Sequence, residues 1–487
     1  MYKHFLLIIS FTILFSCQKD IIEGNQSASL NFESDTIIFD TTFNSISTPT
    51  QYFTVYNRNN FTIYTDITLN LVTGGSFRMN VDGVAGNFHK SVEILANDSI
   101  FIFLEVTPDY NPNNSFLLAS DIIFKTGNNE QKVQLVAPAR NAIFYLPQNN
   151  IFSNGNDTLN IKYFSIKEDQ TWSNTLPHVI YGYVVVEPNV TLTIEEGTEI
   201  YFHNNSGIFV GNPILQDING DPPQNNGTLL INGTLGNEVI LKGDRLDSWY
   251  ENLPGQWNGI HFVPGSFRNK IDYAIFKNGT TAIRADSCIK DGFPTVEINN
   301  TIIQNMSSIG ILGQGADINV TNTLVSKCGQ YTVACNIGGS YNFTHCTFAN
   351  YWNYNNRTTP SLLLNNFYED INGNTQSRPL NAANFVNCII YGSLSTEVSF
   401  QEENTTPFEY KFDHCIIKID PTEDTDNNRY INSIINIEPI FIDPNDLDFH
   451  LAENSPAINS GKSENILFDI EGVARTNPDI GAYEYVE

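Results

Sequence analysis

The chain has 487 residues, of which 53 are acidic and 25 basic, and its formal net charge is −28 at pH 7. Nucleic-acid binding needs a basic surface, and anionic lipid repels an acidic one, so this charge argues against both partners. Charged residues are only 16% of the chain while aromatic residues reach 12%, a composition that favours β-strands joined by polar turns.

An apolar run at the start of the chain predicts export. Phe5–Phe15 follows Lys3 and is far shorter than the ~20 residues that cross a bilayer, which is typical of a signal peptide. Leu14-Phe15-Ser16-Cys17 resembles the lipobox of bacterial lipoproteins. The resemblance implies cleavage before Cys17 and its acylation, for example with palmitate, which would hold the protein on a membrane. An ordinary secreted protein with an incidental cysteine is the alternative.

The residues after Cys17 carry a second signal. Gln18, Lys19 and Asp20 resemble the tripeptide that directs lipoproteins of the Bacteroidota to the outside of the outer membrane. We therefore expect a signal peptide at residues 1–17, a tether at 18–28, and an outer-membrane location in which the protein is anchored by its lipid and faces the cell exterior.

Segments of alternating polarity follow between residues 29 and 139. Examples are Tyr52–Val55, Thr65–Leu69 and Ser99–Val106, and such half-buried strands separated by turns indicate an antiparallel β-sandwich. The pattern resembles the immunoglobulin-like modules related to those of the abnormal-spindle and hydin proteins. We expect a spacer that holds the next domain away from the membrane, with a dedicated ligand site as the alternative.

A six-residue pattern repeats after residue 140. Its copies are Ile271–Phe276, Ile298–Ile303, Val320–Val325, Phe343–Phe348, Phe385–Ile390 and Phe412–Ile417. Successive copies begin 27, 22, 23, 42 and 27 residues apart. A period of this length matches one turn of a right-handed parallel β-helix, and stacked turns bury a core that no single turn can form. We expect the 42-residue interval to contain an extra coil.

Two further sets of residues resemble known β-helix proteins. Val190–Thr198 and Gly255–Ile260 resemble a recurring pattern of right-handed β-helix lipoproteins of the Bacteroidota, and Asn454–Gly461 and Pro478–Glu484 resemble the ending of pectate-lyase-like β-helix proteins. The resemblance implies this fold from residue 140 to the end. Because a β-helix end exposes unpaired strand edges, we expect residues 439–487 to form a C-terminal cap.

Histidine and cysteine residues recur within the repeated pattern. One column contains Asn300, Asn322, His345, Asn387 and His414, and the next contains Thr301, Thr323, Cys346, Cys388 and Cys415. The His-Cys pairs suggest zinc or a nucleophile with its base, but coils lie ~4.8 Å apart and the two pairs are at least two coils from each other. One zinc ion, with Zn–S bonds of ~2.3 Å, cannot reach both. We therefore expect a polar ladder beside a column of small residues with free thiols.

No catalytic residue, metal ligand or cofactor is predicted. The paired aspartates and Gly-His-Gly of polygalacturonases and the Trp-Ile-Asp-His of pectate lyases do not occur in the sequence. The acidic stretches 217–221, 420–426 and 443–448 could hold calcium, but the first has Gly220 at position four and Thr228 at position twelve of an EF-hand loop, which does not fit. Polar turns are the preferred interpretation of all three.

Aromatic and basic residues in two loops are the candidate ligand or partner surface. They are Tyr351, Trp352, Tyr354, Arg357, Tyr368 and Arg378. Both loops fall in the 42-residue interval, and exposed aromatic rings can stack on sugars or anchor a protein partner. Packing of these loops against the coils is the alternative.

Four short motifs are candidate sites of O-glycosylation. Thr36, Thr41, Ser99 and Thr158 each follow an aspartate, and the triplets resemble the sequon of exported Bacteroidota proteins. Strand edges produce the same pattern by chance.

The sequence thus predicts an all-β protein. An N-terminal immunoglobulin-like β-sandwich at 29–139 precedes a right-handed single-stranded parallel β-helix at 140–438 and its cap at 439–487. The expected function is non-enzymatic binding or scaffolding, within an outer-membrane protein complex or toward an extracellular glycan. The alternative is a polysaccharide lyase or hydrolase of the β-helix fold.

Overall fold

The computed structural model describes residues 28–152, 160–213, 226–287, 292–425 and 428–487. These residues form two compact units, one ending at Ala142 and including Leu246–Ser248, the other made of Ile143–Arg245 and Trp249–Glu487. No helix in the described ranges is long and apolar enough to span a bilayer. Several predicted features lie outside the described residues: Cys17, Gln18, Lys19, Asp20, Thr158 and the stretch 217–221.

The first unit is a β-sandwich of two sheets. Its strands are β1 (Asn31–Phe32), β2 (Thr36–Ile38), β3 (Thr42–Phe43), β4 (Gln51–Tyr56), β5 (Ile63–Leu69), β6 (Gly75–Val81), β7 (Val84–Ala85), β8 (Phe88–Ile94), β9 (Ser99–Pro108), β10 (Ser115–Thr126) and β11 (Asn129–Arg140). One sheet has the order β1-β4-β9-β6-β7; the other has β2-β11-β10-β5-β8, with β3 also on β11. Buried residues alternate along the long strands and form one apolar core between the sheets, so the predicted sandwich is confirmed.

The second unit is a parallel β-helix with three sheets. The first sheet contains β12 (Ile143–Tyr145), β16 (His178–Ile180), β19 (Glu199–Phe202), β22 (Val239–Gly243), β25 (Ala274–Lys277), β28 (Ile302–Met306), β31 (Leu324–Cys328), β34 (Thr347–Asn350), β39 (Ile389–Gly392), β42 (Ile416–Ile417) and β44 (Ile434–Ile435). The second contains β13 (Asn149–Phe152), β14 (Asn160–Ile166), β17 (Tyr183–Val186), β20 (Gly207–Val210), β23 (Ile260–Phe262), β26 (Thr281–Asp286), β29 (Ile309–Gln314), β32 (Val333–Asn336), β35 (Leu362–Asn365) and β40 (Val398–Gln401).

The third sheet contains β15 (Gln170–Trp172), β18 (Thr191–Glu195), β21 (Thr228–Asn232), β24 (Asn269–Asp272), β27 (Val296–Asn299), β30 (Asp317–Thr321), β33 (Gly339–Thr344), β38 (Leu380–Val386), β41 (Lys411–Asp413) and β43 (Tyr430–Ile431). Two hairpins, β36 (Phe367–Glu369) with β37 (Thr375–Ser377) and β45 (Phe441–Asp443) with β46 (Asp448–Leu451), lie outside these sheets. Two short 3-10 helices are Ser248–Tyr250 and Pro444–Asp446.

The repeated pattern marks the bend between the third and first sheets. The five residues of its polar column have φ between 46° and 55°, a left-handed conformation that asparagine and histidine tolerate better than most residues. Asn322 Nδ2 donates to Asn300 Oδ1 at 3.2 Å, and Asn387 Nδ2 lies 2.9 Å from His345 Nε2. The predicted polar ladder is confirmed, and its residue types are explained by the backbone of the bend.

Inside the bend, matching side chains stack from coil to coil. The ring of Phe385 lies 4.8 Å from those of both Phe343 and Phe412. Cys346, Cys388 and Cys415 are buried in the neighbouring column, and all five cysteines of the described residues have free thiols. Burial raises the pKa of the Cys388 thiol well above its ordinary value, so these cysteines act as small apolar residues.

The 42-residue interval contains no additional coil, so that expectation was wrong. β33 pairs directly with β38, β34 with β39 and β35 with β40. The extra residues form a loop before β35 and the hairpin β36–β37. A lengthened loop keeps the stacking register of the coils, because it leaves the sheets between bends unchanged.

Residues 439–487 pack along the side of the first sheet. Phe449, Ile480 and Ala482 share one apolar cluster with the outward-facing side chains of Leu324 and Ile389. Ile434 on β44, the last strand of the first sheet, also packs against this cluster; that the segment covers the strand edges at the end of the β-helix stays a prediction. Successive residues of a strand face opposite sides of its sheet, so a strand with two adjacent apolar residues needs cover outside as well as inside.

Hydrogen bonds fix this tail to the bends. Gly481 donates its backbone N–H to Asn387 O at 2.9 Å, and the buried Arg475 donates to Asn322 Oδ1 at 3.1 Å and pairs with Glu484. Asp479 donates its backbone N–H to Glu484 Oε1 at 2.9 Å. Residues of the ending motif Pro478–Glu484 therefore hold the tail against the β-helix.

Replacing Gly481 with alanine is expected to loosen the tail. Gly481 has φ 112°, and an added Cβ would lie 2.8 Å from Thr347 Oγ1 and 2.9 Å from Ile389 Cδ1. We expect Gly481→Ala to lower the free energy of unfolding by about 2 to 4 kcal/mol, measured by urea denaturation, and to speed proteolysis within residues 439–487. Gly373→Ala is the control, because Gly373 has φ 77° with open space around it. Equal losses in both variants would contradict close docking.

Candidate functional site

A groove of about 440 Å³ lies on the outside of the β-helix, beside the ends of β26 and β29. Its lining residues are Pro264, Asp286, Ser287, Gln314, Gly315, Ile337, Gly339, Tyr368, Arg378, Pro379 and Asn381. One wall comes from the second sheet and the other from the hairpin β36–β37 and the residues that follow it. The groove thus forms where the long insertion meets the regular coils.

Polar side chains line up at the carboxyl ends of the second-sheet strands. Asp286 is opposite Gln314, and Gln314 is opposite Asn336. Farther along, Asn365 is opposite Gln401 and donates to its Oε1 at 3.3 Å. This column presents one carboxylate and several amides, which can accept and donate hydrogen bonds.

Asp286 is the charged centre of the groove floor. Its carboxylate lies 2.7 Å from His261 Nε2 and accepts hydrogen bonds from Arg284 Nε at 2.9 Å and Nη2 at 3.1 Å. Burial acts to raise the pKa of Asp286, but the hydrogen bonds and charges of His261 and Arg284 outweigh it, and the pKa lies below its ordinary value. Asp286 is therefore ionised at neutral pH and has no proton to donate.

The hairpin contributes an aromatic ring and a cation. The guanidinium of Arg378 lies 5.6 Å from the ring centroid of Tyr368, and its Nη2 is 3.4 Å from the tyrosine hydroxyl. Asp370 holds the hairpin turn by accepting hydrogen bonds from the backbone N–H groups of Asn372 and Asn374, both at 2.9 Å. Arg378 and Tyr368 are thereby presented together at the rim of the groove.

Two of the six predicted surface residues are buried, and a third, Tyr351, is half-buried. The Arg357 side chain is 1% exposed and forms a bidentate ion pair with Glu397 at 2.7 and 2.8 Å. Trp352 is buried and donates Nε1–H to Asn355 Oδ1 at 2.8 Å. Tyr351 packs against the cluster under the C-terminal tail. These residues hold loops on the coils, so their assignment to a ligand surface is corrected.

The other three predicted residues are more accessible. Tyr368 and Arg378 line the groove, whereas Tyr354 does not, although it is 45% exposed. Sequence reasoning missed Asp286, Gln314 and His261. The signal that could have found Asp286 and Gln314 is the polar residue that recurs at the ends of successive second-sheet strands. His261 lies opposite Arg284, outside this column, and carries no such signal.

The remaining predicted sites have local explanations. Thr36, Thr41 and Ser99 are half-buried, and their glycosylation stays a prediction. Asp420 Oδ1 accepts a hydrogen bond from Thr422 N at 2.8 Å, and Asp443 Oδ1 accepts one from Asn445 N at 3.1 Å. Both acidic stretches are polar turns where described, as expected.

Several solved structures are similar to parts of this chain, all at low sequence identity. No family model matches the chain, and no curated protein matches it significantly. The catalytic unit of a GH87 alpha-1,3-glucanase from Streptomyces thermodiastaticus is similar at 8% identity over 74% of this chain and 90% of that chain, with a TM-score of 0.19. PapD-like domain 7 of human CEP192 is similar at 8% identity over 26% and 94%, with a TM-score of 0.18. The N-terminal domain of PorA is similar at 12% identity over 22% and 86%, with a TM-score of 0.16. Similarities this low carry no argument about function.

Removing Arg357 is expected to destabilise the β-helix strongly. Its loss would leave the carboxylate of Glu397, fully buried, without a counter-charge, which costs about 3 to 5 kcal/mol. The free energy of unfolding of Arg357→Ala can be measured by urea denaturation. Lys270→Ala is the control, because Lys270 pairs with Asp272 at 2.9 Å but is 42% exposed, and we expect it to cost below about 1 kcal/mol. Similar costs would contradict a structural role for the buried pair.

Proposed function

We propose that this protein is a non-enzymatic, lipid-anchored outer-membrane protein whose β-helix groove binds a glycan. The observation that carries the proposal is the groove lining, where Tyr368 and Arg378 face an ionised carboxylate and amide side chains. The acidic surface of the chain, with its net charge of −28, suits a role outside the cell that involves neither nucleic acid nor direct contact with anionic lipid.

The groove lining suits the two kinds of surface that a sugar presents. The ring of Tyr368 can stack on the apolar face of a pyranose. Gln314, Asn381 and the Asp286 carboxylate can bond its hydroxyls, and Arg378 can pair with an acidic substituent. The volume of about 440 Å³ lies within the range of small-ligand sites, about 300 to 1,000 Å³, so the groove accommodates a short stretch of a glycan.

Binding is favoured over hydrolysis because the groove does not supply a general acid. Glycosidases use two carboxyl groups, about 5 to 9.5 Å apart, and one must be protonated near neutral pH. Asp286 is the only acidic residue among the described residues that line the groove. Since His261 and Arg284 keep it ionised, it is suited to hydrogen bonding with hydroxyls rather than to proton transfer.

The location rests on the amino-terminal segment. The apolar run, Cys17 and the sorting residues Gln18–Asp20 support attachment to the outer membrane with the protein facing outward. Anchored in this way, the β-helix would present its groove to glycans outside the cell, and a complex with another outer-membrane protein would be compatible with it.

Replacing Tyr368 with alanine is expected to weaken glycan binding at least about tenfold, because one stacking surface of the groove is lost. The purified protein in mild detergent is run in native gels that contain one polysaccharide of a panel, and retardation gives the dissociation constant. Tyr354→Ala is the matched control, because Tyr354 is an exposed tyrosine of the same insertion that does not line the groove.

Two results would contradict this proposal. One is equal retardation of Tyr368→Ala and the wild type with every retained polysaccharide. The other is turnover, seen as unsaturated products in the ultraviolet or as new reducing ends, that is lost in Asp286→Asn.

Replacing Cys17 with alanine is expected to abolish membrane attachment while leaving the fold intact, because acylation needs the thiol. Detergent phase partitioning should move the variant from the detergent phase to the aqueous phase, and palmitate labelling should be lost. Circular dichroism of the purified variant serves as the control for folding. Continued partitioning into detergent would rule out the proposed anchor.

A further inference from the structure

The sandwich exposes an aromatic cluster on the outer face of its first sheet. Tyr52, Phe101 and Phe103 are 63%, 45% and 39% exposed. They lie on β4 and β9, whose other faces are buried in the core. The solvent face of such a strand normally carries polar side chains. Two phenylalanines, which have no polar group to hydrate, are unexpected there.

The three rings form one continuous surface. Tyr52 is directly opposite Phe103 in the strand register. Its ring centroid lies 6.1 Å from that of Phe103 and 5.9 Å from that of Phe101. Contiguous exposed apolar surface of this kind marks binding sites more often than isolated exposed residues do.

A polar row borders the rings on the same face. Glu105 is opposite Arg78, whose Nη2 and Nε donate to Glu105 Oε2 at 3.0 and 3.3 Å. Asn80 is opposite Phe103. Arg78, Asn80, Phe103 and Glu105 line one groove of about 440 Å³, so ring edge and polar groups meet in a single concave site.

The size of the patch discriminates between ligands. An aromatic side chain has about 150 to 250 Å² to bury, and the exposed fractions of the three rings amount to about 300 Å² in total. A stable protein–protein interface needs about 800 Å² on each partner. The three rings supply less than half of that area, whereas the groove of about 440 Å³ beside them lies within the range of small-ligand sites, about 300 to 1,000 Å³, which favours a short stretch of a glycan.

We propose that this face of the sandwich is a second glycan-binding site, which takes a neutral polysaccharide. The rings would stack on the apolar faces of the sugars, and Arg78, Asn80 and Glu105 would bond their hydroxyls. The charge of Arg78 is already balanced by Glu105, so the site has no cation reserved for an acidic sugar. This site is separate from the β-helix groove, and the proposal stands on its own residues.

The test uses full-length protein that carries Tyr368→Ala, so that binding by the β-helix groove is weakened. Native gels containing dextran, laminarin or galactomannan measure the dissociation constant with and without Phe103→Ala. We expect Phe103→Ala to raise the dissociation constant at least about tenfold for a retained polysaccharide. Tyr64→Ala is the matched control, because Tyr64 is 42% exposed on the other sheet, and it should leave retardation unchanged. Circular dichroism confirms that each variant is folded.

Three outcomes would overturn the proposal. They are no retardation by any of the three polysaccharides, equal retardation with and without Phe103→Ala, and a concentration-dependent dimer in light scattering that Phe103→Ala abolishes. The last would show that a second copy of the chain covers the patch. In otherwise wild-type protein, a loss confined to Phe103→Ala would support this site while speaking against the β-helix groove, and a loss confined to Tyr368→Ala would do the reverse.

Discussion

Stacking of one coil on the next is the constraint on which the β-helix depends. From β17 onward, each interior strand of the second sheet is hydrogen-bonded to the strands of the coils before and after it, as are the interior strands of the other two sheets, at a spacing of about 4.8 Å. At the start of the second sheet, β13 pairs with β14 as an antiparallel hairpin. A side chain is therefore selected by the column it joins. Rings stack on rings, as in Phe343, Phe385 and Phe412, and amides bond amides. Because the interior side chains stack on one another, they are not available to bind a ligand. Ligand-binding residues are therefore expected where an insertion interrupts the regular columns.

The groove shows what such an interruption provides. A regular coil presents a flat outer face, and the hairpin that carries Tyr368 and Arg378 adds a second wall to it. Asp286 then occupies the position of an amide in its column, where its carboxylate pairs with Arg284 and contacts His261 Nε2. The sandwich forms a groove without an insertion. There the aromatic rings project from the strands of the sheet itself, and the Arg78–Glu105 ion pair lies beside them.

Much of the fold could be predicted from the sequence, because stacking requires similar residues at a regular period. The asparagine and histidine column was visible for this reason, and so were the free cysteines. The groove was harder to predict from the sequence, because Asp286 and Tyr368 are 82 positions apart and line the same groove only in the folded protein. Arg357 was misjudged for the same reason, since its partner Glu397 is 40 residues away and composition alone does not reveal a buried ion pair.

The position of the C-terminal tail has a consequence for how the protein is made. The coils can stack one on the next, because their contacts are between neighbours. The apolar stripe on the outside of the first sheet, from Ile302 to Ile434, shares one apolar cluster with residues of the 439–487 segment, which lies outside the stack of coils. Before this segment docks, a β-helix whose coils have already stacked exposes this apolar stripe along the first sheet. Docking of residues 439–487 therefore removes an exposed apolar surface from the β-helix, and exposed apolar surface is what makes folding intermediates aggregate.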